Sequence, residues 1–157
     1  MTATSGVKSW GLIGQGNIGR EIMRQLGQAP VAARLGLKPQ PDIIVEAKGI
    51  IRPDGSVDTQ TAFADADLPD VLFIAIPSGG DGTLAYSYIS TILAKGKMAV
   101  TAEKGALSHF FSDLKIASDD FTRFGITASV GGGTRMLRVA EQYNLDQANI
   151  TEMHAVL

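Results

Sequence analysis

Short apolar runs recur along the chain, and most are followed by glycine or polar turn residues and then by a stretch with helical spacing. An apolar run of about four to eight residues bounded by turn residues is typical of a strand, whereas a longer stretch with a period of about 3.6 residues is typical of a helix. The alternation of the two predicts an α/β fold with a doubly wound, mostly parallel sheet and helices on both faces. The predicted strands are residues 10–14, 43–47, 71–76, 98–101 and 126–130.

Helices are predicted after most of these strands. The first should end at Gly27, the second should cover residues 83–95 and end at Gly96, and a third should cover residues 106–121. A short helix is predicted near Met136, and residues 150–157 alternate apolar and polar positions as a half-buried strand does. The apolar faces of the three long helices are Ile18, Ile22, Met23 and Leu26 in the first, Ala85, Ile89, Ile92 and Leu93 in the second, and Phe110, Phe111, Leu114, Ala117 and Phe121 in the third.

Composition narrows the class of protein. The chain has 157 residues, 45% of them hydrophobic and 19% charged, which describes one globular domain. It has no cysteine and two histidines, so a thiolate nucleophile is excluded and a metal cluster is not expected. A formal charge of −2 argues against a nucleic-acid partner. We expect no membrane segment and a cytoplasmic location, since the longest apolar run, residues 71–76, is far shorter than a spanning helix.

The strongest local motif is GQGNIG, which lies between the first predicted strand and the first predicted helix. Gly14 permits a tight turn, Gly16 lets the backbone approach a diphosphate, and Gly19 lets the helix lie close to the strand. The N–H groups at the helix start would then face the phosphates. The motif predicts a Rossmann-type domain that binds NADP or NAD. The alternative is a glycine-rich turn that binds another ligand, such as a nucleotide sugar or a methyl donor.

Charged residues at the end of the second strand bear on the choice of cofactor. An acidic side chain there accepts from the ribose 2′-OH of NAD, whereas a cation pairs with the 2′-phosphate of NADP. The segment is Glu46-Ala47-Lys48, and Lys48 at its tip favours NADP. A solvated surface lysine is the alternative.

Two further loops follow strands and should reach the same edge of the sheet. Pro77, Ser78 and Gly79 follow the third apolar run, so we expect them to border the cofactor cleft unless they form only a structural turn. Lys104 follows the fourth strand and is placed to stabilise charge on a substrate oxygen, although a lone lysine in such a position is usually a surface residue.

The segments GLIGQGNIG, AARLGL, KGKMAVTAEKGALS and TASVGGG together resemble the cofactor domain of homoserine dehydrogenases, in the same order and at comparable spacings. The resemblance implies reduction of aspartate 4-semialdehyde to homoserine in amino-acid biosynthesis, with NADH or NADPH. It implies that Lys104 is the active-site lysine, and that Pro77 and Ser78 border the nicotinamide ribose. The residues it implies for the pyrophosphate are Gly14, Gly16, Asn17, Ile18 and Gly19.

The sequence also departs from that family. Glu103 replaces the asparagine beside the active-site lysine, and Thr127 replaces a glutamate that helps hold a monovalent cation. Thr134 and Arg135 replace an apolar residue and a proline, and Arg135 is either an anion contact or a solvated helix residue.

The resemblance divides the chain into an NAD(P)-binding domain, residues 1–149, and the first strand of a missing substrate and dimerisation domain, residues 150–157. Met153, Ala155 and Leu157 would form an apolar face of this last strand, so we expect a homodimer or a frayed C-terminus. We also expect cofactor binding with little or no turnover. The alternatives are a non-catalytic NAD(P)-binding module or sensor, and a reductase of a different carbonyl compound derived from an amino acid.

Overall fold

The fold is described from a computed structural model, which covers residues 6–77, 79–119 and 121–125. Its strands are β1 (Trp10–Ile13), β2 (Ile43–Glu46), β3 (Gly49–Ile51), β4 (Val57–Asp58), β5 (Val71–Ile74), β6 (Met98–Thr101) and β7 (Phe124–Gly125). Its helices are α1 (Asn17–Leu26), α2 (Ala29–Leu35), α3 (Thr83–Ala94) and α4 (Gly105–Ala117), with one 3-10 turn at Phe63–Asp65.

In the described residues the seven strands form one sheet in the order β4-β3-β2-β1-β5-β6-β7. The strands from β2 to β7 across this order are parallel, whereas β3 and β4 add an antiparallel edge. The chain runs outward from β1 through β2 and then returns to the other side of β1 with β5. The strand order therefore reverses between β1 and β5, where ligands bind in open α/β sheets.

Two apolar layers enclose the sheet because successive side chains of each strand point to opposite faces. Leu12 packs with residues of α1 and α2, whereas its neighbour Ile13 packs with residues of α3 and α4. Leu72 and Ile74 of β5 also face α3 and α4. Helices thus cover both faces, which confirms the predicted doubly wound, mostly parallel α/β fold.

The third predicted helix is shorter than expected. α4 ends at Ala117 rather than at Phe121, and its backbone leaves helical geometry at Phe110. The Ser118 hydroxyl donates to the Leu114 carbonyl at 2.6 Å and closes the helix. The predicted apolar face was wrong at Phe111 and Ala117, which are exposed. The break at Phe110 interrupts the regular helical period on which that prediction depended.

The sequence patterns missed α2 and the antiparallel edge. Pro30 lies in the first turn of α2, where a proline loses no hydrogen bond, so a proline-containing connector still forms a helix. The predicted strand at residues 126–130, the helix near Met136 and the strand at residues 150–157 lie outside the described residues. β7 begins at Phe124, two residues before the fifth predicted strand.

Candidate functional site

A cleft opens at the carboxyl ends of β1 and β5, where the strand order reverses. It has a volume of about 510 Å³. The Ala75 N–H donates to the Ile13 carbonyl at 2.8 Å, so the two strands stay paired to the rim of the cleft. The residues that line it come from the β1–α1 turn and from the segment after β5: Gly14, Gly16, Asn17, Ile18, Ala75, Ile76 and Pro77.

The three glycines of the β1–α1 turn have three different surroundings. Gly14 has a φ of +91°, and a Cβ there would lie 2.6 Å from the Ala75 carbonyl oxygen. A Cβ at Gly19 would overlap the Gly14 carbonyl, so this glycine lets α1 start close to β1. A Cβ at Gly16 would meet no atom within 4 Å. Gly14 and Gly19 are therefore required by the protein's own packing, whereas Gly16 leaves open space in the cleft.

The start of α1 faces this cleft without a side-chain cap. Gly16 is its N-cap, and no acidic residue lies in the first turn. The first N–H groups of a helix have no partner inside the helix, and the helix dipole makes this end positive. The β1–α1 turn thus presents unpaired N–H donors beside open space, which suits a phosphate group.

The starts of α3 and α4 differ, because each is closed by a carboxylate. Asp81 accepts the Thr83 N–H at 3.1 Å, and this backbone hydrogen bond is the main reason that the pKa of Asp81 is lowered. Glu103 accepts the N–H groups of Gly105 and Ala106 at the start of α4. Of these three helices, only α1 leaves its N-terminus free for an external anion.

Lys104 lies between the end of β6 and the first residue of α4. The Ala102 N–H donates to the Ile74 carbonyl at 3.1 Å, so the segment that leads to Lys104 leaves the sheet beside the segment after β5. Its side chain is exposed and makes no ion pair with any described residue. Lys104 therefore lies at the same edge of the sheet as the cleft, although it is not among the lining residues.

Glu103 does not share the exposed environment of Lys104. It is 1% exposed, and its carboxylate is directed to the backbone of α4. Sequence reasoning placed this carboxylate beside the lysine and missed its role as a helix cap. A glutamate two residues before the first helical residue of a segment was the available signal.

The loop after β5 contributes to the site in two ways. Pro77 lines the cleft, whereas Ser78 lies outside the described residues. Gly82 has a φ of +70°, and a Cβ there would overlap the backbone of Gly105. Gly82 therefore lets the backbone of this loop contact the backbone at the start of α4. Ala75 and Ile76, which the sequence assigned to the strand, also line the cleft because β5 ends at Ile74.

Lys48 lies in the turn between β2 and β3. Its Nζ lies 3.4 Å from a carboxylate oxygen of Glu46, and Lys48 is 62% exposed against 26% for Glu46. Neither residue lines the cleft. The acidic and basic candidates for the ribose contact thus form an ion pair with each other at the carboxyl end of β2.

The described residues contain no group of three or more potential metal ligands. No helix in this part of the chain is long and apolar enough to cross a membrane.

The strand order and the glycine turn at the reversal define a Rossmann-like α/β domain. The homoserine dehydrogenase from Thermoplasma acidophilum has a similar structure, with a TM-score of 0.66 and 20% identity over 88% of this chain and 48% of that one. The putative homoserine dehydrogenase from Archaeoglobus fulgidus has a TM-score of 0.64 and 20% identity over 87% of this chain and 47% of that one. A hyperthermophilic archaeal homoserine dehydrogenase in complex with NADPH has a TM-score of 0.64 and 16% identity over 78% of this chain and 44% of that one.

These likenesses show that the chain shares the fold of homoserine dehydrogenases over about half of their length. The sequence matches no protein-family model, and no curated protein is significantly similar to it.

Proposed function

We propose that this chain is the NAD(P)-binding domain of a homoserine dehydrogenase-like oxidoreductase. The observation that carries the proposal is the β1–α1 turn, in which Gly16 leaves open space in front of an uncapped helix N-terminus. This fits a diphosphate, which needs N–H donors and the absence of a side chain. The resemblance of the sequence motifs and the fold of the similar structures support the same family.

The residues that would hold the cofactor are those of the cleft and its rim. The N–H groups that follow Gly16 would bind the diphosphate, with Asn17, Ile18 and Gly19 forming the first turn of α1. Ile76 and Pro77 would form the opposite apolar wall and exclude water from the reacting ring. Ser78 belongs to the same proposed wall by the resemblance alone.

A bound nicotinamide cofactor supplies a hydride to the carbonyl carbon of the substrate. The task of this chain is to orient the cofactor and to stabilise the negative charge that develops on the carbonyl oxygen. Lys104 is the residue proposed to stabilise that charge, because an ammonium group beside a developing alkoxide lowers the energy of the transition state. Aspartate 4-semialdehyde is the proposed substrate: its aldehyde carbon would gain the hydride and its oxygen a proton from water, which gives homoserine and the oxidised cofactor. The expected homodimer and cytoplasmic location are part of the same proposal.

The ion pair of Glu46 and Lys48 at the proposed ribose contact is compatible with both NADP and NAD. A 2′-phosphate would compete with Glu46 for the Lys48 ammonium group. Glu46 can accept from a 2′-OH while it keeps the lysine. We therefore propose NADP or NAD as the cofactor, with Lys48 favouring NADP.

Calorimetric titration of the purified chain with NADPH and NADH tests the proposed function. UDP-glucose and S-adenosylmethionine are the matched controls, because both are ligands of glycine-rich turns in other α/β domains. We expect at least one nicotinamide cofactor to bind tenfold or more tightly than either control. Tighter binding of a control, or no heat with either nicotinamide cofactor, would overturn the proposal.

A further inference from the structure

Glu103 is a buried carboxylate whose hydrogen bonds go to the protein backbone. No ion pair within the described residues includes it. Its oxygens accept the N–H groups of Gly105 and Ala106, the second at 2.8 Å. A buried carboxylate is costly unless such donors and a helix dipole stabilise it. The charge of Glu103 is thus stabilised by the first turn of α4 itself.

The other side of Glu103 is tied to the sheet. Thr101, the last residue of β6, is fully buried, and its hydroxyl accepts the Glu103 N–H at 3.0 Å. Lys104 follows immediately, and its carbonyl accepts the Ser108 N–H at 3.0 Å. The backbone is therefore held on both sides of Lys104, by β6 before it and by α4 after it.

The same turn also supports the wall of the cleft. A Cβ on Gly105 would lie 2.8 Å from a Glu103 carboxylate oxygen and 3.0 Å from the Gly82 Cα. Gly82 belongs to the loop that carries Ile76 and Pro77 into the cleft. A shift at the start of α4 would therefore be transmitted to this loop by direct backbone contact.

From these contacts we infer that Glu103 is a positioning residue, which holds Lys104 and the loop after β5 in the arrangement that binds the nicotinamide end of the cofactor. This inference rests on the proposed function. It assigns to Glu103 no contact with the cofactor and no proton transfer. Its carboxylate acts through the start of α4.

The test compares Glu103→Gln with Ser118→Ala in the full chain. Each variant alters a buried hydrogen-bonding side chain beside one end of α4, and Ser118 lies at the end far from Lys104. Each backbone N–H now donates to a different carboxylate oxygen, and in glutamine one of those two positions becomes an NH2 group that faces a backbone donor. Binding of NADPH is measured by fluorescence titration at a temperature at which circular dichroism shows each variant folded.

We expect Glu103→Gln to weaken NADPH binding about fivefold or more and to shift the emission of bound NADPH at saturation. Ser118→Ala should lower thermal stability but leave both readouts as in the unaltered chain. Thr101→Val removes the hydroxyl that accepts the Glu103 N–H and leaves the carboxylate in place. We expect this variant to weaken NADPH binding about threefold. If Glu103→Gln does not fold, the NADPH affinity of Thr101→Val tests the inference instead.

An affinity within twofold of the unaltered chain in the folded variants, with unchanged emission, would overturn the inference alone. Equal weakening by Ser118→Ala would overturn it as well, because the effect would then belong to helix stability in general. If the unaltered chain binds neither NADPH nor NADH, the proposed function fails, and the inference fails with it.

Discussion

Gly16 and Gly19 differ in what an added methyl group would meet, and this difference separates binding from folding. At Gly16 the φ is −66° and no atom lies within 4 Å of the added carbon, so Gly16→Ala should fold normally. The methyl group would occupy the space proposed for the diphosphate. We expect about tenfold weaker NADPH binding, or about 1.4 kcal/mol, by fluorescence titration, with an unchanged midpoint of urea unfolding.

The matched control is Gly19→Ala, whose methyl group would overlap the Gly14 carbonyl. Forcing an extra carbon into a close contact typically costs about 1–3 kcal/mol of unfolding free energy. Gly19→Ala should therefore lower the urea midpoint. If Gly16→Ala bound NADPH as tightly as the unaltered chain, the proposed diphosphate position would be wrong.

The side chain of Lys48 governs the proposed preference for NADP. Lys48→Asp replaces the cation with a second carboxylate beside Glu46, which would repel a 2′-phosphate. We expect this substitution to weaken NADPH about tenfold while NADH affinity changes little, as measured by calorimetry with both cofactors. Glu46→Gln should act in the opposite direction, because it frees Lys48 from its partner. Equal losses for NADPH and NADH in Lys48→Asp would remove the argument for NADP.

At the scale of the elements, the apolar pattern correctly predicted the helices and strands whose buried residues recur regularly. α3 lies where the pattern placed it because it buries the predicted face, and β6 because its apolar residues pack against both sides of the sheet. The pattern could not predict β3 and β4, which are short and pair through the backbone at the edge of the sheet. It also extended α4 too far, because the turn closed by Ser118 depends on a hydroxyl group rather than on an apolar period.

The residues of the candidate site likewise include some that the sequence predicted and some that it did not. The glycine motif identified Gly14 and Gly19, where a side chain would overlap the backbone, and Gly16, where a side chain would fill the space proposed for the diphosphate. The position of Glu103 before α4 signals a helix cap, but its burial was not predictable, since the pattern does not show that the start of α4 packs against Gly82.

The turn after β4 gives the edge of the sheet a pH dependence. Asp58 accepts the N–H groups of Thr61 and Gln60 at 2.9 and 3.0 Å. A guanidinium nitrogen of Arg52 lies 3.5 Å from the second carboxylate oxygen of Asp58. Hydrogen bonds from Thr61 are the main cause that lowers the pKa of Asp58 from 3.8 to about 2. A lowered folded-state pKa contributes stability that is complete above about pH 4 and is lost as the pH falls towards 2.

We therefore expect the unfolding free energy to decrease less steeply between pH 4 and pH 2 in Asp58→Asn than in the unaltered chain. Urea unfolding at a series of pH values measures this slope. Asp113→Asn is the control, because Asp113 is exposed and its side chain makes no hydrogen bond with a described residue. The same slope in all three proteins would show that the Asp58 turn does not contribute to acid stability.

At the scale of the whole molecule, the strand order brings the two walls of the cleft together from distant parts of the sequence. Residues 14–18 and 75–77 meet because β1 and β5 are neighbours in the sheet. The chain spans less than half the length of the homoserine dehydrogenases whose fold it shares.

A ligand that binds only the folded chain stabilises the whole molecule. At a free NADPH concentration of one hundred times the dissociation constant, the gain in unfolding free energy is about 2.7 kcal/mol. For a domain of this size, 1 kcal/mol raises the melting temperature by about 2–4 °C, so we expect a rise of about 5–10 °C in differential scanning calorimetry. Because this gain depends on the Gly16 turn, Gly16→Ala should show a smaller rise at the same NADPH concentration, and sodium phosphate at that concentration should produce almost none. An equal rise in Gly16→Ala would place the bound nucleotide elsewhere on the molecule, since the methyl group leaves every other part of the fold unchanged.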